Sequence, residues 1–378
     1  MPDVLIHADT LRSPELRHEV PLVIPDPFLY AEHEGRRCVV ISSLELPRVR
    51  ELSGLEAIPN EDIGVDELIA AGVDREEIYL DLTLRACTEL GITAATVPIG
   101  FPLALADHLR ANGIELTPDR RFFTDRRRVK SEVELAGIRR AQRASEAGMD
   151  AVRDLLRRAK SNGSGLAVDG EPLTSELLRR RIERVFSERD MVADELIASH
   201  GPQTAVGHDM GSGQIVAGEP IVVDLWPRDR QTACFADMTR TFVVGEPPDE
   251  LREWHRLCLQ ALEEAVAGIK PRIEGRELFI GTCELFEQNG YRTQRTKTQG
   301  EILDEGFTHS LGHGVGLEVH EAPGLGIASH GELVAGDVVT VEPGLYRPGF
   351  GGCRLEDLVL VTESGAENLT DYPYDLIP

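Results

Sequence analysis

Positive charge is short in this chain relative to negative. Its 378 residues carry 65 Asp and Glu against 40 Lys and Arg, a formal net charge of -25 with a sequence pI near 4.9. Proteins that hold nucleic acid do so through a basic face on the phosphates, so that class of function is excluded. The same sign disfavours an anionic membrane surface. No stretch approaches the roughly 18 apolar residues of a membrane-spanning helix. The opening MPDVLIHADTLRS lacks a basic start followed by an apolar core, so no secretory leader is expected. Cysteine pairing motifs are missing as well. Cys38, Cys87, Cys234, Cys258, Cys283 and Cys353 are scattered without a CxxC. In a chain this long they read as reduced thiols of a cytoplasmic protein rather than a disulfide frame. There is no low-complexity segment.

What the chain does have is THSLGHGVGLEVHEAPG, residues 308–324, with His309, His313 and His320 on a backbone loosened by glycines. In a strand, positions an odd number apart face opposite ways. His313 and His320 therefore converge only if a turn or bulge lies between them, which the glycines permit. Acid-bearing segments flank this stretch. PIVVDLWPRDRQTACFADMTRTFVV precedes it and VVTVEPGLYRPGFGGCRLEDLVLV follows. Each has an apolar β-rich run ending on an acid, a turn-rich connection and a second run with another acid: Asp224 and Asp237, then Glu342 and Glu356. Carboxylates set in apolar strands are seldom buried unless paired or metal-bound. Two such pairs with one imidazole make an oxygen-rich site that suits two divalent ions sharing bridging carboxylates.

The order Asp, Asp, His, Glu, Glu, with DMTRTF, GHGVGLEVHE, VEPGLY and GGCRLED around it, resembles the creatinase/aminopeptidase superfamily of pita-bread metallopeptidases. Within it the chain is most similar to Xaa-Pro aminopeptidases and prolidases. The resemblance covers residues 126–378 well and the first part loosely. It implies that Asp224 binds one metal, that Asp237 and Glu356 bridge both, and that His313 and Glu342 bind the other. A hydroxide between the two ions would attack the peptide bond, with Glu342 as proton shuttle. The expected ion is manganese, with cobalt, iron and zinc open. By the same resemblance His320 and His208 donate to the oxyanion, His309 contacts substrate, and Arg354 orients the bridging acid or reads a substrate carboxylate. The expected substrate is a dipeptide or short peptide with proline second, and the expected assembly a homodimer. Alternatives are another small-amide hydrolase on this scaffold, or a non-catalytic pita-bread binding protein. His200 and His330 have no such context and read as surface residues. Asp224 and Asp237 lie 13 positions apart (224 to 237), two more than in most relatives. A longer turn through Pro227–Gln231 is expected there, with parity kept so that both acids face one side.

Organisation follows the periodicities. Residues 1–125 read as a smaller α/β domain of creatinase type, a lid or dimer element by analogy, with a hairpin turning at Glu34-Gly35 and a helix closing at Asn112-Gly113. The basic run TDRRRVK, residues 124–130, reads as a solvated linker and helix surface. After it, Ser131 and Glu134 have capping-box spacing. Val133, Ile138, Ala141, Ala144, Met149, Val152 and Leu156 form the apolar stripe of a long helix. Further helices are expected at Ser175–Phe186, Pro248–Ile269 and Arg276–Asn289. With strands and hairpins in between, the fold class is α+β, a pita-bread catalytic domain over 126–378.

Overall fold

Each run of hydrophobic residues finds its partners within one of two units, Met1–Arg127 and Arg128–Pro378. The structure, a computed structural model, describes every residue except Met1, Asn162 and Ser164.

The first unit is built on a six-stranded sheet in the order β4-β3-β2-β1-β5-β6. Its strands are β1 (Val4–Ala8), β2 (Phe28–His33), β3 (Arg36–Ile41), β4 (Glu56–Pro59), β5 (Ala94–Val97) and β6 (Glu115–Pro118). The β2–β3 hairpin turns on Glu34 and Gly35, both with positive φ (49° and 82°), the geometry that matches strand twist in a two-residue turn. Helices α1 (Pro14–Glu19), α2 (Leu46–Val49), α3 (Val65–Ala70), α4 (Arg75–Leu90), α5 (Leu103–Ala111) and α6 (Arg120–Arg128) accompany it. Alternate residues of β1 feed separate cores: Leu5 packs with Leu82, Ala86 and Leu109, and Ile6 with Leu16, Val20 and Phe123. Asn112 caps α5, and Gly113 leaves it with φ +87°.

The second unit opens with α7 (Glu132–Arg158), which has the full reciprocal capping box of Ser131 and Glu134. The expected stripe is buried along it except at Val133, which lies in the first turn and stands exposed. A small sheet of β7 (Lys160–Ser161), β8 (Leu166–Val168) and β9 (Glu171–Pro172) leads to α8 (Ser175–Glu188). Strand β10 (Met191–Val192) pairs with β13 (Arg228–Asp229), and β11 (Ile197–His200), β12 (Ile221–Leu225) and β14 (Met238–Phe242) form a three-stranded sheet. Helices α9 (Asp249–Gly268) and α10 (Gly275–Gln288) follow. A five-stranded sheet then runs β16 (Glu321–Leu325), β15 (Gly312–Gly314), β17 (Val338–Val341), β20 (Asp357–Val361), β21 (Ala366–Asn368), with β18 (Gly344–Arg347) and β19 (Gly351–Arg354) as a separate hairpin. One core joins α7 and α8 to β11, β12 and β14, and a second joins α9 and α10 to β17, β19 and β20. Each half thus lays two helices over the strands that carry its acids. Among the described residues no helix is long and apolar enough to cross a membrane.

The basic run is not a solvated linker. Residues 124–128 continue α6, and its cations serve acids that are buried or half-buried. In the first unit the Arg126 Nε donates to Glu19 (2.8 Å) and its Nη1 to Glu32 (3.1 Å). In the second, Arg128 pairs with the fully buried Asp337 at 2.6 Å, and Lys130 with Glu321, both side chains only 2% exposed. A buried carboxylate needs such a partner, and sequence separation hid these.

Candidate metal centre

Register places the acids. Asp224 on β12 sits opposite Thr239 on β14, and Asp237, two residues before Thr239, faces the same side of the ladder. The longer connection between them is a side hairpin. β13 pairs with β10, Arg228 bridges Phe235, and Asp229 accepts from the Thr232 amide and hydroxyl (3.0 and 2.5 Å) around Ala233 at φ 64°. Glu342 follows β17 and Glu356 precedes β20, whose facing ends pair Val341 with Asp357, so both glutamates leave that ladder at one edge. The halves are tied at this point. The Glu356 amide donates to the Thr239 carbonyl (3.0 Å), and the Thr239 hydroxyl donates to Glu356 Oε2 (2.7 Å).

His313 reaches the same place from β15. A Cβ on Gly312 would overlap the Thr340 carbonyl, and one on Gly314 the Ala322 carbonyl, so glycine on each side is what lets β15 lie this close to β17 and β16. Beyond β15 the chain turns, the Gly316 amide donating to the Glu318 carbonyl, and returns as β16 with a register shift. The expected turn therefore exists, and the rings of His313 and His320 meet edge to face at 4.2 Å.

Ligand atoms of Asp237, His313 and Glu356 all lie within 4.8 Å of one another. His313 Nε2 is 3.6 Å from Glu342 and 3.8 Å from Asp237. Its Nδ1 lies 3.2 Å from the Gly314 carbonyl, which can only accept, so Nδ1 carries the proton and the Nε2 lone pair faces the acids. Burial depresses the ring to a pKa of about 4, so it is neutral at pH 7, as a ligand must be. Asp224 is placed somewhat differently. Its Oδ2 accepts from Arg354 Nη2 at 2.6 Å, while its Oδ1, like Asp237 Oδ1, is buried with no partner among the described residues.

Four carboxylates thus share the site with one buried cation, Arg354. Burial, then mutual repulsion, holds Asp237 and Glu356 well above the usual carboxylate range, and burial with Asp224 nearby pushes Glu342 up to about 8. An excess of buried negative charge, two orphaned carboxylate oxygens and a neutral imidazole with its lone pair turned inward fit divalent cations bound by hard oxygen donors.

The remaining sequence candidates surround this centre. His208 and His320 are exposed at its mouth, and partial burial, then the nearby His208, holds His320 below the usual imidazole range. His309 donates from Nδ1 to the Ser310 carbonyl (2.7 Å) and so accepts at Nε2 from the Tyr346 hydroxyl (2.8 Å). Arg354 is 5% exposed and reaches Asp224, Tyr346 and Thr239. His330 is exposed as expected. His200 is not a plain surface residue: its side chain is 12% exposed, with Glu219 at 3.1 Å. Three residues escaped the sequence reading. Thr239 and Tyr346 link Glu356, Arg354 and His309. Arg240 sits with Asp357 at 2.9 Å and donates to the Glu356 carbonyl at 2.8 Å. All three lie inside DMTRTF and VEPGLY, beside residues chosen for their charge.

Residues 136–363 match the model of metallopeptidase family M24. The chain is 34% identical over 263 residues to an uncharacterized peptidase of Bacillus subtilis, covering 70% of this chain and 68% of that one. It is 32% identical over 296 residues to the Xaa-Pro dipeptidase of Pyrococcus horikoshii, covering 78% and 76%. Among solved structures, the prolidase from Pyrococcus horikoshii superposes with a TM-score of 0.76 at 25% identity, over 100% of this chain and 96% of that one. The Xaa-Pro dipeptidase from Bacillus anthracis gives 0.79 at 24%, over 100% and 94%, a likeness of fold. The fold is thereby the α+β pita-bread architecture.

Proposed function

The chain belongs to metallopeptidase family M24, and from that premise we propose that it hydrolyses the bond between an N-terminal residue and proline in dipeptides or short peptides. The observation that carries this reading is the donor set: four carboxylates in or beside strand ends, two with orphaned buried oxygens, around the inward lone pair of neutral His313. The likeness to an Xaa-Pro dipeptidase supports the substrate class.

Two divalent ions, manganese first, would be held by Asp224, Asp237, His313, Glu342 and Glu356, with Asp237 and Glu356 serving both. Bound there, they would polarise the scissile carbonyl and lower the pKa of water. The chain's own groups do the rest. Glu342 accepts the proton of the attacking water and returns it to the leaving nitrogen. His320 and His208, at the mouth, donate to the oxyanion. Arg354 holds one oxygen of Asp224 and leaves the other without a protein partner, free to take a cation. Tyr346, between Arg354 and His309, fixes the ring that meets the substrate.

Residues 126–378 act as the catalytic domain in this reading, and residues 1–125 as the partner-facing element of a homodimer. Six buried, unpaired cysteines suit a reducing compartment and a cytoplasmic location. Steady-state kinetics on Xaa-Pro dipeptides, Xaa-Pro-Yaa tripeptides and matched alanine peptides test the substrate class. Turnover confined to the proline series is expected. Equal kcat/KM on the alanine series would overturn the assignment. Light scattering should give the mass of a dimer, and a fully active monomer would contradict that part.

A further inference from the structure

The first unit has a feature that the peptidase reading does not use. Strands β1, β3, β4, β5 and β6 all run in one direction, with β2 alone reversed. Chain order grows the sheet one way from β1 through β4, then returns to the other side of β1 for β5 and β6. The order therefore reverses between β1 and β5. In open α/β sheets a crevice outside the carboxyl ends of the strands at such a reversal is the general place for a ligand. A cavity of about 740 Å³ lies there, inside the range of small-molecule sites, and every residue lining it belongs to this unit.

Its lining has three parts. Phe28, Leu29, Val40 and Leu82 give an apolar wall. His7 and Tyr79 stand beside it as a tilted ring pair, centroids 5.4 Å apart and planes at 36°. His7 is only 9% exposed and burial keeps it neutral, its pKa lowered to about 4. The charged lining includes Asp26 and Arg75, and neither side chain makes a hydrogen bond or ion pair among the described residues. Asp9, by contrast, is occupied by the amides of Leu11 and Arg12 (2.9 and 3.0 Å). Glu45 is occupied by Arg48 at 2.7 Å.

We propose that this cavity binds an apolar zwitterion, a free α-amino acid or short peptide with an aromatic or branched side chain. The side chain packs on the apolar wall and the His7–Tyr79 rings. The ammonium group faces Asp26 and the carboxylate faces Arg75. One unengaged charge of each sign beside an apolar wall is complementary to a zwitterion. A purely cationic or purely anionic amphiphile would leave one of the two unanswered. This site is independent of the metal centre and does not rest on the peptidase reading.

Calorimetric titration of the full chain with L-phenylalanine, phenethylamine and 3-phenylpropionate tests it, since the last two each lack one charged end. L-Phenylalanine should bind at one site per chain more tightly than either half-ligand. Arg75→Ala and Asp26→Asn, both at exposed positions that should leave folding intact, should each weaken it at least about threefold. His313→Ala, at the metal centre, should leave that binding as it is. Three outcomes would overturn the proposal: no binding of L-phenylalanine, binding unchanged in both Arg75→Ala and Asp26→Asn, or binding lost in His313→Ala. Phenethylamine binding as tightly as L-phenylalanine would equally overturn the carboxylate contact with Arg75.

Discussion

His313 and His320 show how much a single side chain's surroundings decide. They lie seven positions apart and their rings touch, yet one is half-buried with its lone pair among acids and the other is exposed. His313→Ala should therefore lose bound metal. His320→Ala should retain it, with turnover down by about 10²–10³-fold, the usual cost of an oxyanion donor. Glu342→Gln keeps an oxygen in place but accepts no proton, and should lower turnover by about 10²–10⁴-fold. Metal content and turnover measured together on the three variants decide the roles. Metal lost from His320→Ala and kept by His313→Ala would exchange the two histidines. Another residue-scale consequence belongs to His7. Its folded pKa, about 4, lies below the ordinary 6.5, so protonation favours the unfolded chain. The stability it allows is present above about pH 6.5 and is lost as pH falls toward 4, by at most about 3 kcal/mol. Wild-type melting temperature should thus drop more steeply over that window than that of His7→Phe. Identical slopes would show that the ring is not held neutral by burial.

Elements were legible in proportion to how local their causes are. The capping box of Ser131 and Glu134, the turn at Glu34-Gly35 and the apolar strands beside the four acids are written in a few adjacent residues, and the structure has each of them. Residues 124–130 were misread because their partners, Glu19, Glu32, Asp337 and Glu321, lie about a hundred or more positions away. No period or propensity records such a pairing. Likewise Tyr346 and Thr239 look ordinary until β18, β19 and β14 bring them against Arg354. Where close backbone approach is the cause, glycine does record it. Gly312 lies where any Cβ would overlap the Thr340 carbonyl of β17. Gly312→Ala should force β15 away from β17, destabilising the protein by about 1–3 kcal/mol. It should also displace His313, so metal affinity should fall along with the melting temperature. A variant that melts lower but binds metal as wild type would show that β15 yields without moving its histidine.

For the whole molecule, the centre is a place where stability is given up for function. The chain already carries a net charge of -25, and four of its acids gather in one partly buried cluster with a single arginine. Without bound cations that cluster opposes folding, because burial and like charge both disfavour its ionised form. A ligand that binds only the folded state adds stability in proportion to its saturation, about 2.7 kcal/mol at a hundredfold excess over Kd. For a unit of 128–378 this amounts to several degrees in melting temperature. Chelator-stripped protein should therefore melt several degrees below the manganese-loaded form and lose its hydrolytic activity, and both should return on adding the ion. The double variant Asp237→Asn, Glu356→Gln removes two of the mutually repelling charges. Stripped of metal, it should melt no lower than stripped wild type, because losing the repulsion offsets the altered hydrogen bonding, and manganese should no longer shift it. Differential scanning calorimetry on the four samples separates the possibilities. A double variant that still gains several degrees from manganese would mean that these two acids do not hold the ion. One that melts far below stripped wild type would mean that the carboxylates stabilise the fold and that the cluster is not strained by its own charge.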